Sequence, residues 1–326
     1  MALGEFELIA RYFQRPENNS GSHLALGIGD DCALLRTRPG TELAISCDML
    51  VQGQHFFADV AADSLGHKAL AVNLSDLAAC GARPIGFNLA LALPAADPGW
   101  LSGFSRGLFE LADAHHCPLI GGDTTRGPLT ICITVFGEVP SGQALLRSGA
   151  KSGDLIWVSG SLGDARLALF ALQGRLDHLT SLTPGALSAA RQRLEWPSPR
   201  VALGLALRGV ASAAIDISDG LMGDLNHILN ASSTGATLEA QAIKALMRCT
   251  EITGQERLHH VLTGGDDYEL LFTAPASASH LVASAASQTG TPVTCIGRID
   301  ATPGLRLLDA AGQPIHGNFA SFDHFA

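Results

Sequence analysis

The chain has 326 residues, 47% of them hydrophobic and only 16% charged, with 31 acidic against 21 basic side chains and a net charge of −10. That length suits two domains rather than one core, and the apolar share excludes a disordered chain, a collagen-like repeat or a coiled coil. The acidic balance excludes a general binder of the nucleic-acid backbone, which needs a basic face.

In chain order, Phe6, Ile9, Ala10 and Phe13 mark one face of an opening helix over residues 4–13. Residues 15–22 are polar and turn-rich and read as a loop. Residues 24–28 and 43–47 read as strands, separated by a Gly-Asp-Asp turn and by Pro39-Gly40. Residues 63–80 read as a helix with Asp63 as N-cap and Gly81 as stop. A strand over 85–93, a helix over 98–115, a short strand at 119–120 and a long one over 129–139 follow. Pro140-Ser141-Gly142 is a boundary signal, and the expected domains are 1–145 and 146–326.

The pattern then restarts: a strand over 154–159, a glycine turn, a helix over 164–172, and a helical region over 184–207 broken by Pro197 and Pro199. A strand at 213–217, a helix at 221–230, and strands at 269–273, 293–299 and 305–308 complete the expectation. Such alternation means an α/β or α+β fold in both halves. No stretch reaches the roughly 18 continuous apolar residues of a membrane span, and the opening residues, with Glu5 and Glu7, do not read as a secretory signal. The seven cysteines never form a C-x-x-C and read as reduced, mostly buried thiols of a cytoplasmic protein, without a zinc site. His115-His116 and His259-His260 have no metal-ligand spacing and read as exposed helix residues, and Lys68 and Lys151 as solvated or structural ones.

Chemistry is signalled by aspartates standing beside glycines or at the ends of apolar strands. These are Gly29-Asp30-Asp31, Ser46-Cys47-Asp48, Gly121-Gly122-Asp123, Asp216-Ile217-Ser218-Asp219-Gly220 and Gly264-Gly265-Asp266-Asp267. Asp76 is different, an acid inside an apolar helical run and costly to bury unless paired or bound to a cation. One such Asp is most simply a turn or a cap. Five groups with few basic neighbours would repel one another without hard cations. All-oxygen ligands favour Mg²⁺ or Ca²⁺, and Mg²⁺ commonly shares its sphere with substrate phosphates. Glycines let backbone amides approach a phosphate. Neither a G-x-x-x-x-G-K-[ST] loop nor a G-x-G-x-x-G opening is present.

These same residues resemble the thiamine-monophosphate kinases, part of the ATP-binding superfamily of aminoimidazole ribonucleotide synthetase and selenophosphate synthetase. The resemblance runs through Gly4-Glu5-Phe6, residues 27–33, residues 68–79, Gly121-Gly122-Asp123-Thr124-Thr125, residues 147–151, Asp216-Ile217-Ser218-Asp219-Gly220 and Gly264-Gly265-Asp266-Asp267-Tyr268-Glu269. It implies a two-domain fold whose N-terminal sheet pairs with its twin in a homodimer. ATP would lie between the domains, the C-terminal domain completing the cleft. It implies transfer of the ATP γ-phosphoryl group to thiamine monophosphate, with several Mg²⁺ ions held by Asp31, Ser46, Cys47, Asp48, Asp76, Asp123, Asp216 and Asp219. ATP would meet Gly122, Asp123, Arg147 and Ser218, and the thiamine moiety His55, Asp266 and Phe322, with Asp76, Asp123 and Arg147 central to catalysis. Cys47 stands where relatives often have Thr, so a contact there would come through its carbonyl. Asp266 and Phe322 stand where relatives often have Glu and Tyr or Trp. Asp31 is preferred to Asp30 because adjacent strand side chains point opposite ways. The alternatives are another ATP-dependent enzyme of that superfamily, or a non-catalytic Mg²⁺–nucleotide sensor.

Overall fold

The computed structural model describes residues 4–15, 23–176, 182–317 and 319. The expected loop at 15–22 lies outside them except for Arg15, whose guanidinium pairs with Asp113 at 3.0 Å. The chain divides into two compact units, residues 1–77 with 82–142, and residues 78–81 with 143–326. The break therefore falls at Gly142, three residues before the expected change of domain, and a short stretch after Leu77 groups with the second unit.

The first unit holds α1 (Glu5–Tyr12), β1 (Leu24–Leu26), β2 (Leu34–Leu35), β3 (Thr41–Val51), α2 (Ala62–Ala79), β4 (Arg83–Leu93), α3 (Pro98–Ala114), β5 (Leu119–Arg126) and β6 (Thr130–Pro140). Its main sheet runs β3-β6-β4-β5, antiparallel except for the β4·β5 pair. α2 is buried almost all round, because α3 crosses it in backbone contact: a Cβ on Gly66 would stand 2.0 Å from Phe104 O, and one on Gly107 1.8 Å from Asp63 O. Asp63 sits within the first turn of α2 rather than capping it, and its carboxylate takes the Arg106 guanidinium at 2.9 Å. The other face of β3 is bare: Leu43, Ile45 and Met49 are 44%, 59% and 54% exposed.

Two strands outrun their expected ends. β3 continues through Asp48 to Val51, and β5 continues from Ile120 through Gly121-Gly122-Asp123 to Arg126. Asp48 and Asp123 are thus strand residues, not turn residues beyond a strand.

The second unit holds β7 (Leu155–Ser159), α4 (Asp164–Leu172), α5 (Pro184–Glu195), α6 (Val201–Ala206), β8 (Ala213–Ile217), α7 (Leu221–Ser232), β9 (Gly235–Glu239), α8 (Ala240–Ala245), α9 (Gly254–Thr263), β10 (Glu269–Ala274), α10 (Ser279–Thr289), β11 (Val293–Asp300) and β12 (Gly304–Leu308). Its sheet order is β12-β9-β11-β7-β10-β8, with β12·β9 the parallel pair. Ile156, Val158, Ile215, Ile217, Leu271 and Ile296 from the strands pack against Leu167, Leu225, Ile228, Leu258 and Leu262 from the helices. Both units have the expected mixture of helix and sheet, in its α+β form. No described helix is long and apolar enough to cross a membrane.

Candidate active site: two groups of acids

In the first unit, β3 is an edge strand whose alternate side chains turn toward α2. Ser46 and Asp76 meet there, the hydroxyl donating to Oδ2 at 2.5 Å. Two residues along, the Asp48 amide donates to Asn73 Oδ1 at 3.1 Å, so α2 satisfies part of the strand's open edge. Asn73 is held in turn by the Ala69 carbonyl at 3.0 Å. Cys47 points the opposite way, its Sγ 3.4 Å from Cys132 Sγ and accepting from Thr134 Oγ1 at 3.3 Å. Its thiol is accordingly separate from the Ser46, Asp48 and Asp76 group. His55 closes the turn after β3, its Nδ1 accepting from the Val51 amide at 3.0 Å; in that tautomer Nε2 carries the proton. Asp30 Oδ1 is occupied by the amide of Asp31 at 2.8 Å, and Asp31 is exposed.

Asp123 lies elsewhere in the same unit. Register places it in the row Met49–Cys132–Ala90–Asp123, at the far edge of the sheet from β3. Three interstrand spacings make that separation roughly 14 Å. Gly122 permits this strand to form: its φ is +152°, and a Cβ would stand 1.9 Å from Leu89 O.

In the second unit, β8 and β10 pair antiparallel, with Asp216 opposite Leu270 and Ile217 opposite Glu269. That register brings the loop after β8 against the loop before β10. The Asp266 amide donates to Ser218 O and the Tyr268 amide to Ile217 O, both at 2.9 Å. Asp266 and Tyr268 adopt φ of 64° and 51°, uncommon for non-glycine residues, and Tyr268 Oη donates to Asp266 Oδ1 at 3.2 Å. Backbone pairing thus places Asp216, Ser218, Asp219 and Asp266 at one end of the β8·β10 pair. Asp216 is buried, while Ser218, Asp219 and Asp266 are half-buried.

Arg147 is not at that end. Leu146 O takes the Ala214 amide at the start of β8, and Arg147 O takes Ser232 Oγ at the end of α7. Asp219 stands at the other end of that helix, roughly 18 Å away by the rise of twelve helical residues. Phe322 lies outside the described residues.

Three buried acids at this site were given no role in the sequence reading: Asp267 and Glu269 stood only within the motif over residues 264–269, and Asp224 was not singled out. Asp224 Oδ2 accepts the amides of Ser218, Asp219 and Gly220 at 3.2, 3.2 and 3.1 Å. Burial, followed by the Asp219 carboxylate, pushes its pKa up to about 7 in spite of those bonds. The amides expected to meet a phosphate are therefore already bound to the protein itself. Asp267 accepts the Gly163 amide, and its complete burial holds its pKa well above the usual carboxylate value. Glu269 is clasped by Arg200 through two bonds of 2.6 Å and by Arg193 at 3.0 Å, with Ser159 Oγ at 2.6 Å. Of the acids in residues 264–269, only Asp266 is not fully committed to the interior.

Other expectations are corrected. Only Cys117 and Cys249 are buried, whereas Cys32 and Cys47 are exposed; none of the seven cysteines is in a disulfide. Cys47 escapes burial because it lies on the bare face of β3. His260 is buried, edge-on to Phe170 with 5.6 Å between ring centroids, because α9 turns that position inward. Lys68 is buried in α2, in line with the structural one of its two expected readings.

The donor chemistry suits a hard cation. Ser46 and Asp76 already bring a hydroxyl and a carboxylate together, and Asp216 and Asp219 add carboxylates in the second unit. No three His, Cys, Asp or Glu side chains converge among the described residues. These acids therefore form no closed protein cage, which is the usual situation for Mg²⁺ completed by water and phosphate oxygens.

Residues 29–139 match the family model of the AIR synthase related protein N-terminal domain, and residues 151–310 that of its C-terminal domain. Thiamine-monophosphate kinase of Salmonella typhimurium is 47% identical over 330 aligned positions, spanning 100% of this chain and 99% of that one. The crystal structure of thiamine-monophosphate kinase from Stenotrophomonas maltophilia K279a has a TM-score of 0.85 and 44% identity over 97% of this chain and 99% of that one. AaThiL complexed with AMPPCP and TMP has a TM-score of 0.74 and 27% identity over 89% of each chain.

Proposed function

The chain belongs to the thiamine-monophosphate kinases, within the AIR synthase related proteins, and from that premise we propose how it phosphorylates thiamine monophosphate with ATP to give thiamine diphosphate and ADP. It is a phosphotransferase of thiamine biosynthesis whose acceptor is itself a phosphate. The complex of AaThiL with AMPPCP and TMP supports ATP as co-substrate. The observation that carries the metal reading is the Ser46–Asp76 contact, which joins two hard oxygen donors from β3 and α2.

No catalytic base is needed, because a phosphate monoester with a second pKa near about 6 is already largely ionised at neutral pH. The difficulty is bringing two polyanions together. Asp31, Ser46, Asp48, Asp76, Asp123, Asp216 and Asp219, with the carbonyl of Cys47, would hold Mg²⁺. Bound there, Mg²⁺ supplies charge neutralisation and alignment of the phosphates. Ser218 and Arg147 contact the nucleotide, Gly122 lets backbone approach it, and His55 and Asp266 orient the thiamine. Transfer is direct and in line, without a phosphoenzyme.

The enzyme works as a homodimer through the bare face of β3, and its reduced thiols suit the cytoplasm. The test is ADP release with thiamine monophosphate, free thiamine or aminoimidazole precursors, with Mg²⁺ omitted and restored. Mg²⁺-dependent turnover of the monophosphate alone is expected. Failure to turn it over would overturn the reading in favour of a different substrate. Nucleotide binding without hydrolysis under every condition would indicate a sensor.

A further inference from the structure

Asp224 sits in the first turn of α7, with only 2% of its surface exposed. One of its oxygens receives three consecutive amides, from Ser218, Asp219 and Gly220. Consecutive amides converging on a point make a concavity that binds anions, phosphate included. Here the protein's own carboxylate fills it. The loop carrying Ser218 and Asp219 is fixed on a second side by its bond to the Asp266 amide. On a third side Gly220, at φ +119°, runs so close to Thr263 that a Cβ would stand 3.0 Å from the Thr263 carbonyl carbon. With these three amides committed inward, the loop meets a ligand through oxygen atoms, its side chains foremost, rather than through N–H donors.

We propose that Asp224 is a positioning residue for phosphoryl transfer: it draws the loop amides inward so that the Asp219 carboxylate and Ser218 hydroxyl are presented to the metal–nucleotide. The inference rests on the reading that Ser218 and Asp219 serve that ligand.

The test uses the full chain with Asp224→Ala, Asp224→Asn and Asp219→Asn. Mg²⁺ half-saturation, KM for ATP, KM for thiamine monophosphate, kcat and thermal melting are all measured. Asp224→Ala is expected to raise the Mg²⁺ half-saturation by about 10–100-fold, the range typical of losing a group that orients a metal ligand. It should lower kcat and leave KM for thiamine monophosphate within about twofold. Asp224→Asn keeps an acceptor oxygen and should recover most of the loss. A lowered melting temperature with unchanged Mg²⁺ half-saturation and ATP KM overturns the inference and leaves a purely structural cap.

Asp219→Asn separates the two levels. If it leaves metal and ATP dependence unchanged, the reading of the loop as a metal–nucleotide contact fails. If it alters them while Asp224→Ala does not, only the positioning role fails. Should Asp224→Ala not fold, Asp224→Glu decides, because it retains the charge but displaces it by a methylene. A raised Mg²⁺ half-saturation there supports the role, and a wild-type value overturns it.

Discussion

Ser46 on β3 and Asp76 on α2, thirty positions apart, share a hydrogen bond of 2.5 Å. The bond fixes the Asp76 carboxylate against the strand that also carries Asp48, beside Asn73 on the same helix. Asp76→Asn keeps the shape but removes the charge available to a cation. It is expected to lower kcat by about 10²–10³-fold, the scale of losing one preorganised electrostatic contact. Ser46→Ala should cost about 10-fold through poorer orientation. Steady-state assays across a Mg²⁺ titration check both, and near-normal activity of Asp76→Asn would remove this pair from the site.

Leu43, Ile45 and Met49 form an exposed apolar stripe on alternate positions of one strand. Exposed stripes of that kind commonly mark a contact between chains. Ile45→Asp is expected to convert a dimer to a monomer, read by light scattering after size-exclusion chromatography at micromolar concentration. A wild-type protein that already elutes as a monomer would defeat the proposed pairing.

Gly121 and Gly122 are adjacent, yet they are expected to differ sharply. A Cβ on Gly122 would collide with the Leu89 carbonyl at 1.9 Å, whereas one on Gly121 would meet only the Asn88 side-chain oxygen at 3.1 Å. Gly122→Ala should therefore destabilise by about 1–3 kcal/mol and displace Asp123, lowering activity with it. Gly121→Ala should cost less than about 1 kcal/mol. Urea unfolding of the two variants decides, and equal losses would contradict the backbone argument.

This pair of glycines also shows where sequence reasoning succeeded and where it stopped. Asp123 was recognised as notable, but Gly-Gly normally punctuates a chain, so the segment read as a turn. Only the approach of Leu89 from β4 reveals a strand. β3 was cut short at Cys47 because aspartate is depleted in strands, and the Asn73 bond that accommodates Asp48 comes from a distant helix. Asp224 had a local signal, an acid four residues after the glycine that opens α7. Glu269 stood in the motif over residues 264–269, but its burial had no local signal, since its arginine partners lie 69 and 76 positions away. The strand β9, Gly-Ala-Thr-Leu-Glu, offers one β-branched residue and a leading glycine, so tertiary pairing rather than propensity creates it.

Glu269 is wholly buried between Arg200 and Arg193, whose side chains are 17% and 11% exposed. Removing one partner from a buried ion group strands the others without counter-charge. Glu269→Gln is expected to cost about 3–5 kcal/mol in chemical denaturation. In the otherwise wild-type chain Arg200→Lys should also destabilise, since lysine cannot reproduce the two parallel bonds to the carboxylate. A loss below about 1 kcal/mol for Glu269→Gln would show that the pair adds almost nothing to folding.

Glu138 on β6 gives the first unit a pH dependence of known sign. Burial pushes its pKa up, but the Arg38 amide at 2.7 Å, the Arg38 guanidinium at 2.9 Å and His23 at 3.3 Å outweigh that, and its pKa ends below the ordinary 4.5. A depressed carboxylate stabilises the folded chain above its unfolded pKa, and the contribution fades as pH falls through the folded value. Arg38 is 53% exposed, so solvent screening limits the gain to the order of 1 kcal/mol. Wild type should therefore exceed Glu138→Gln in unfolding free energy at pH 7, and the gap should narrow steadily below about pH 4. Urea melts of both proteins at pH 7, 5, 4 and 3 check the slope. A gap that stays constant across that range would mean that the glutamate packs well but that its charge contributes nothing.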